Sequence, residues 1–280
     1  MIDKSQIPHL VRLLDDDDPV VRGAVLQAFE TIGPSLETEL GRAGISLSRH
    51  QAEPIQHILD RGRREILRTS WSRWFPVRGD KKRLESALGL IVEFQDGKGS
   101  AKKLAPMLDG LAGEYRTRGD SPDPLGLAGF LFKEKNLRGV DQEDYYNPLN
   151  SNLLYVITEG RGIPIALASV YILVGNRLGL GIEGCNFPGH FLAIAPAERS
   201  RILVDCYNGG RTIGEHDLAG IDSRVSLKDI LRLECHSGAI IARVVRNLKT
   251  AYEHTGNVEN MRLMDTLLEK MNAKGGSSPP

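Results

Sequence analysis

Residues 165–174 read IALASVYILV, a run that is apolar nearly all round rather than along one stripe. A helix without a polar face belongs inside a domain. Only about half of the roughly 20 residues needed for a membrane span separate Ile163-Pro164 from Gly175-Asn176-Arg177. The chain must therefore build a domain around this helix. Pro164 suits its first position, where the missing N–H costs nothing. Upstream, Asn150 or Ser151 is the expected cap of a short helix through Ile157, and Gly160 is placed to end it. The chain then turns through Arg161-Gly162-Ile163.

After Leu180 the period changes to two. Residues 182–185, 190–195 and 201–205 read as strands, separated by Asn186-Phe187-Pro188-Gly189 and by the turn Pro196-Ala197-Glu198-Arg199. Pairing Ala195 with Ser200 sets His190 opposite Asp205, with Leu192, Ile194 and Leu203 on the same face. A carboxylate in that place orients an imidazole and favours its charged form. Pairing Cys185 with His190 across 186–189 brings Cys185 to the His190 face, while Cys206 faces away. A one-residue slip in either hairpin removes the corresponding pairing.

These residues resemble the transglutaminase-like core, and more closely the bacterial SirB/YchA group of uncharacterised proteins. The matching pieces are FLFKEKNLRGVDQEDYYNPLNSNL (130–153), RGIP (161–164), FPGHFL (187–192) and VDCYNGG (204–210). The resemblance reaches upstream to about Leu84. It implies an α+β, papain-like fold in which a buried helix packs against an antiparallel sheet. It also implies a Cys at the start of that helix, with His190 and Asp205 in the His and Asp places. Here the chain departs from the pattern: Gly162-Ile163-Pro164 stands where the family carries Gly-x-Cys, and proline cannot be a nucleophile. Cys206 replaces the usual Pro after the Asp.

The bounds are those of an ordinary soluble chain: 280 residues, 41% hydrophobic, with 36 basic and 36 acidic side chains. A balanced charge argues against a global nucleic-acid or membrane-surface binder. Three cysteines in no paired spacing fit a reducing compartment, and MIDKSQIPHL carries no signal-peptide apolar region. The expected location is the cytoplasm.

Four regions are expected. Residues 1–79 form a helical region in which LVRLLDDDDPVVRGAVLQAFETIG resembles a HEAT repeat. Asp18 caps its second helix and Pro19 opens it; a metal site in Asp15–Asp18 lacks the alternation of hard-cation loops. Arg49 to Arg83 holds ten Lys/Arg and four Asp/Glu around Trp71 and Trp74. Those tryptophans are read as packing anchors ahead of a nucleic-acid surface. Residues 80–235 form the transglutaminase-like domain, with a helical lead-in over 80–149 and a core over 150–215. A helix is expected over 125–134, and 218–233 is ambiguous. Residues 236–273 resemble a tetratricopeptide hairpin, and 274–280 read as a disordered tail.

Three functional readings follow. The missing nucleophile favours a non-catalytic interaction or scaffold protein, with a protein or peptide as partner and no cofactor. The alternative is a cysteine-dependent hydrolase or acyl transferase using Cys185 as nucleophile, His190 as base and Asp205 as orienter. A metal site from Cys185, His190 and Asp205 with His216 lacks the close Cys/His pairs of structural zinc. Arg161, Asn208 and Tyr145 are the candidate binding residues. Tyr145 and Tyr146 either line a ligand groove or pack under their loop.

Overall fold

The computed structural model describes residues 4–119, 121–187, 189–197, 200–214 and 227–275. Contacts divide the chain into two units, one of residues 1–70 and 93–100, the other of 71–92 and 101–280.

In the first unit, α1 (Ile7–Arg12), α2 (Pro19–Ile32), α3 (Leu36–Arg42), α4 (Arg49–Ala52) and α5 (Gln56–Ser70) follow in order. Their apolar positions, among them Ile7, Val25, Phe29, Leu36 and Ile58, meet in one core. The acidic run is a turn and cap. Asp16 Oδ1 accepts from the Asp18 N–H (2.9 Å), Asp18 Oδ1 accepts from the Val20 N–H (2.8 Å), and Pro19 opens α2. Arg63 donates through Nε and Nη2 to Glu37 Oε1, at 3.0 and 2.7 Å.

In the second unit both tryptophans are buried, and the Trp71 indole donates to the Leu267 carbonyl at 3.2 Å. Helix α6 (Asp80–Asp96) has residues 80–92 here. It is followed by α7 (Ala101–Arg116) and α8 (Pro124–Gly129). The helix expected over 125–134 widens after Gly129 into a π turn, Phe130–Glu134, with the Lys135 N–H on the Phe130 carbonyl. Next come β1 (Arg138–Gly139), α9 (Leu153–Glu159), β2 (Arg161–Gly162) and α10 (Pro164–Arg177), with β1 and β2 paired in parallel. The cap of α9 is Asn152, whose Oδ1 accepts from Leu154 and Tyr155, rather than Asn150 or Ser151. The physical reason is that Pro148–Ser151 forms a 3-10 turn of its own, in which the Asn150 amide donates to the Asp144 carbonyl. Gly160 ends α9 at φ +70°, a conformation open to glycine without steric cost.

Helix α10 is the centre of this unit. Ile163 is extended (φ −77°, ψ 161°), as a following proline demands. All twelve residues from Pro164 to Gly175 are buried, and each large apolar side chain among them contributes about 2 kcal/mol. Polar atoms on the helix are satisfied: Ser169 Oγ donates to Ile165 O (2.7 Å) and Tyr171 OH to Pro124 O (2.8 Å). At its end Arg177 forks onto Glu85 at 2.9 Å through both terminal nitrogens and donates to Asp109 through Nε.

The remaining strands are β3 (Glu183–Cys185), β4 (Leu192–Ala197), β5 (Ser200–Asp205), β6 (Arg211–Ile213) and β7 (Glu234–Cys235). They form an antiparallel sheet in the order β6-β5-β4-β3-β7. Both expected registers are displaced by two residues. Ala197 pairs with Ser200 and Ala195 with Ile202, while Cys185 pairs with Leu192. Strand β4 runs on through Pro196, which sits beyond the reach of β3 and so forfeits no ladder bond on that side. This extension shortens the hairpin loop and moves the register.

Helix α11 (Leu227–Leu231) precedes β7, and α12 (Ser237–His254) and α13 (Val258–Gly275) form the final pair. Helix α12 has no side-chain cap of its own. Instead the Asp80 carboxylate accepts from the Ser237 N–H (3.1 Å) and hydroxyl (2.6 Å), placing a negative charge at the helix N-terminus. Lys274 and Gly275 lie in α13; the rest of the expected tail, 276–280, lies outside the described residues, as does His216. Among the described residues no helix is long and apolar enough to cross a membrane.

Candidate functional site

The site is built on the C-terminal end of β5. Asp205 is 2% exposed, and a buried carboxylate is tolerated only when its oxygens are occupied. Three neighbours do this. His190 Nε2 lies 2.8 Å from Asp205 Oδ1. The Asn208 backbone N–H donates to the same oxygen at 3.2 Å, and its side-chain amide donates to Oδ2 at 2.7 Å. Arg211 Nε stands 3.8 Å from Oδ2. Burial pushes the Asp205 pKa up, but the hydrogen bonds from His190 and Asn208 and the electrostatic attraction to His190 outweigh it, leaving the carboxyl below its ordinary value.

The His190–Asp205 contact survives the displaced register for a geometric reason. A shift of two preserves the face of every side chain, whereas a shift of one reverses it. Continuing the observed ladder sets Leu192 opposite Asp205, so His190 reaches the carboxylate diagonally from two residues earlier. Its ring is 28% exposed and meets the Tyr207 ring edge-on at 6.0 Å.

Tyr207 ties this site to the turn before α10. Its hydroxyl donates to the Val140 carbonyl, and its own carbonyl accepts from the Gly139 N–H at 3.1 Å. Val140 N–H in turn donates to the Gly162 carbonyl at 3.3 Å. A Cβ at Gly139 would fall 2.6 Å from the Tyr207 ring, so this close approach requires glycine.

The structure brings His190, Asp205 and Asn208 together and bonds Cys185 elsewhere. Its thiol donates to the Ile230 carbonyl at 3.6 Å, inside an apolar cluster with Phe187, Leu192, Leu203 and Ile213. Burial, with Cys235 nearby, pushes the Cys185 pKa up to about 12. The other thiols are no readier: Cys206 is held well above its ordinary value by burial, and Cys235 is pushed up to about 11, also by burial. Pro164 occupies the helix start. Among the described residues no group of three or more His, Cys, Asp and Glu is placed to hold a metal ion.

The other expected binding residues divide. Arg161 pairs with Asp141 at 3.4 Å on the exposed side of β2. Tyr145 and Tyr146 are 37% and 39% exposed and meet edge-on at 5.5 Å, and Tyr146 stacks on His254 at 4.1 Å. Three residues near the site were not singled out by sequence reasoning: Tyr207, Arg211 and Arg243. Tyr207 stands inside the VDCYNGG motif and Arg211 one residue beyond it, a usable signal. Arg243 comes from α12, far along the chain, and no local pattern marks it.

Comparison with known proteins bears on this arrangement. A family model described as the transglutaminase-like superfamily matches residues 102–246. A UPF0162 protein of Xylella fastidiosa (strain 9a5c) is 32% identical over 159 residues, covering 52% of this chain and 56% of that protein. F-box only protein 21 of Mus musculus is 28% identical over 156 residues, covering 50% of this chain and 23% of that protein. The chain thus spans about half the length of the UPF0162 relative. No solved structure matches it.

Proposed function

The chain belongs to the transglutaminase-like superfamily, and on that premise we propose that it is a non-catalytic member acting as a protein-interaction or scaffold module. The state of the three thiols carries this reading. Acyl transfer by this superfamily, as the resemblance implies, needs a thiolate at the helix start, where Pro164 stands. Each cysteine present is buried, with its pKa raised. A reactive thiol requires the opposite: exposure and a pKa lowered by a cation or a helix N-terminus.

His190, Asp205 and Asn208 then serve as a rigid polar face rather than as a relay. The recurrence of a block of about this size within a much longer F-box protein supports a portable module. The proposal includes membership of the SirB/YchA group, a cytoplasmic setting, and HEAT-like and tetratricopeptide-like roles for the flanking helices. Supporting the last is the pairing of α12 and α13, eighteen residues each, joined by a short turn at 255–257. The three unpaired cysteines fit the setting.

The test is the pH dependence of alkylation at each cysteine, read by mass spectrometry on the folded protein and on His190→Ala. The expected outcome is no reaction at Cys185 near neutral pH in either form. Alkylation with an apparent pKa well below about 8.5, lost in His190→Ala, would establish the Cys185–His190–Asp205 enzyme instead.

A further inference from the structure

Arg243 is a cation beside the site that has no carboxylate partner among the described residues. It sits on α12, partly buried, with its guanidinium 5.4 Å from the centre of the Phe191 ring. Its Nη1 donates to the Asn186 side chain and to the Phe187 carbonyl at 3.0 Å, both neutral acceptors in the loop that carries His190. No acidic side chain among the described residues forms an ion pair with it, and its Nε–Nη2 edge has no protein partner there. Burial lowers its pKa, and Arg246 adds to the effect. By contrast, Arg63 and Arg177, of similar burial, each fork onto a glutamate. A half-buried guanidinium held by a ring and one nitrogen, with its other edge unused, is preorganised for a bidentate anion.

The surroundings give that anion a context. Arg243, Asn247, Thr250 and His254 recur at spacings of four, three and four, so they share one face of α12. The stripe is about 16 Å long, room for roughly five extended residues. Tyr146 stacks on its His254 end, and Tyr145 lies within electrostatic reach of Arg243. Both tyrosines are partly exposed.

We propose that this face binds a carboxylate-bearing peptide segment, with Arg243 taking the carboxylate through its Nε–Nη2 edge and the peptide running along α12 beside Tyr145 and Tyr146. One guanidinium edge balances the single negative charge of a carboxylate, which therefore ranks ahead of phosphate, an anion that takes the same two-bond fork. The assignment rests on the interaction-module reading and names its partner class.

The experiment follows the arginine side-chain Nε–Hε resonances of the full chain by NMR. Three probes are titrated: N-acetyl-diglycine with a free carboxylate, its amide, and N-acetyl-phosphoserine amide. The expected result is saturable movement of the Arg243 resonance with the carboxylate and none with the amide. Affinity, read in the variants from the backbone amide resonances of α12, should fall about tenfold or more in Arg243→Gln and fall measurably in Arg243→Lys, which keeps the charge but loses the fork. Circular dichroism checks that the variants fold, and Arg243→Lys carries the test should Arg243→Gln not fold. No saturable movement, equal response to the amide, or unchanged affinity in either folded variant overturns the proposal. A tenfold preference for the phosphoserine probe overturns it in favour of a phosphate site. Alkylation of Cys185 on the same samples separates the two readings. An inert Cys185 without carboxylate binding removes this subsite alone, and a reactive Cys185 with binding removes the non-catalytic reading alone.

Discussion

Cys185 and Asp205 stand on one cross-strand row of the same sheet, with Leu192 between them, yet their environments are opposite. The sulfur lies among Phe187, Ile230 and Leu192 with one weak carbonyl partner. The carboxylate lies about 10 Å away across two strand spacings and receives His190, Asn208 and Arg211. Both are buried, and burial raises the pKa of each. Only at Asp205 do partners reverse the effect. Burial sets the cost of a charge, and the neighbours decide whether the group ionises.

The strongest way to break this contrast is to place the same group at both ends of the row. Cys185→Asp puts a carboxylate into an apolar cluster where burial outweighs the Phe187 backbone donor and the more distant Arg201 and Arg243, and urea unfolding should show a loss of more than about 3 kcal/mol. A loss under about 1 kcal/mol would mean that the apolar end admits water or donors.

Asp205→Ala removes the acceptor shared by His190 and Asn208, and should cost about 3 kcal/mol at neutral pH. Because the folded pKa of Asp205 is depressed, its contribution is complete above the ordinary value near 3.9 and disappears as pH falls toward the folded value. Wild type should therefore lose this part of its stability only below about pH 4, a loss that Asp205→Ala lacks. Matching acid unfolding curves for the two proteins would show that the Asp205 carboxylate does not stabilise the fold.

The effect that is smallest up to about pH 10 is alkaline. The folded pKa of Cys185, about 12, lies above the unfolded value near 8.5. Its contribution is complete below that unfolded value and declines as pH rises between the two, because only the unfolded chain releases the proton there. Thermal unfolding at increasing pH should show a shallower alkaline decline in Cys185→Ala than in wild type. Parallel declines would place the Cys185 thiol in a wetter environment than its burial implies.

Parts of this arrangement were legible without coordinates. The unbroken apolar run 165–174, opened by Pro164 and preceded by Gly160, dictated the buried helix, because local periodicity and backbone restriction act over a few residues. Asp18 and Pro19 declared the start of α2 for the same reason. The partnership of His190 and Asp205 was legible through parity. The registers that supported it were each two residues off, and an even error leaves the faces unchanged. The extension of β4 through Pro196 was hidden because proline and its neighbours carry strong turn signals, and only pairing with Arg201 overrides them.

The sequence alone was enough for the buried helix α10, the start of α2, the strands β3 to β5 with the face that His190 and Asp205 share, and the absence of a thiol before α10. These follow from short-range sterics and the two periods of the backbone. Tertiary packing had to decide that Cys185 bonds Ile230, that Asn208 completes the Asp205 shell, that Asp80 caps α12 from 157 residues away, and that Arg243 reaches the His190 loop with no acidic partner among the described residues. Each depends on which distant segments share a surface, and the free energy of such contacts has no signature in the local pattern of either partner.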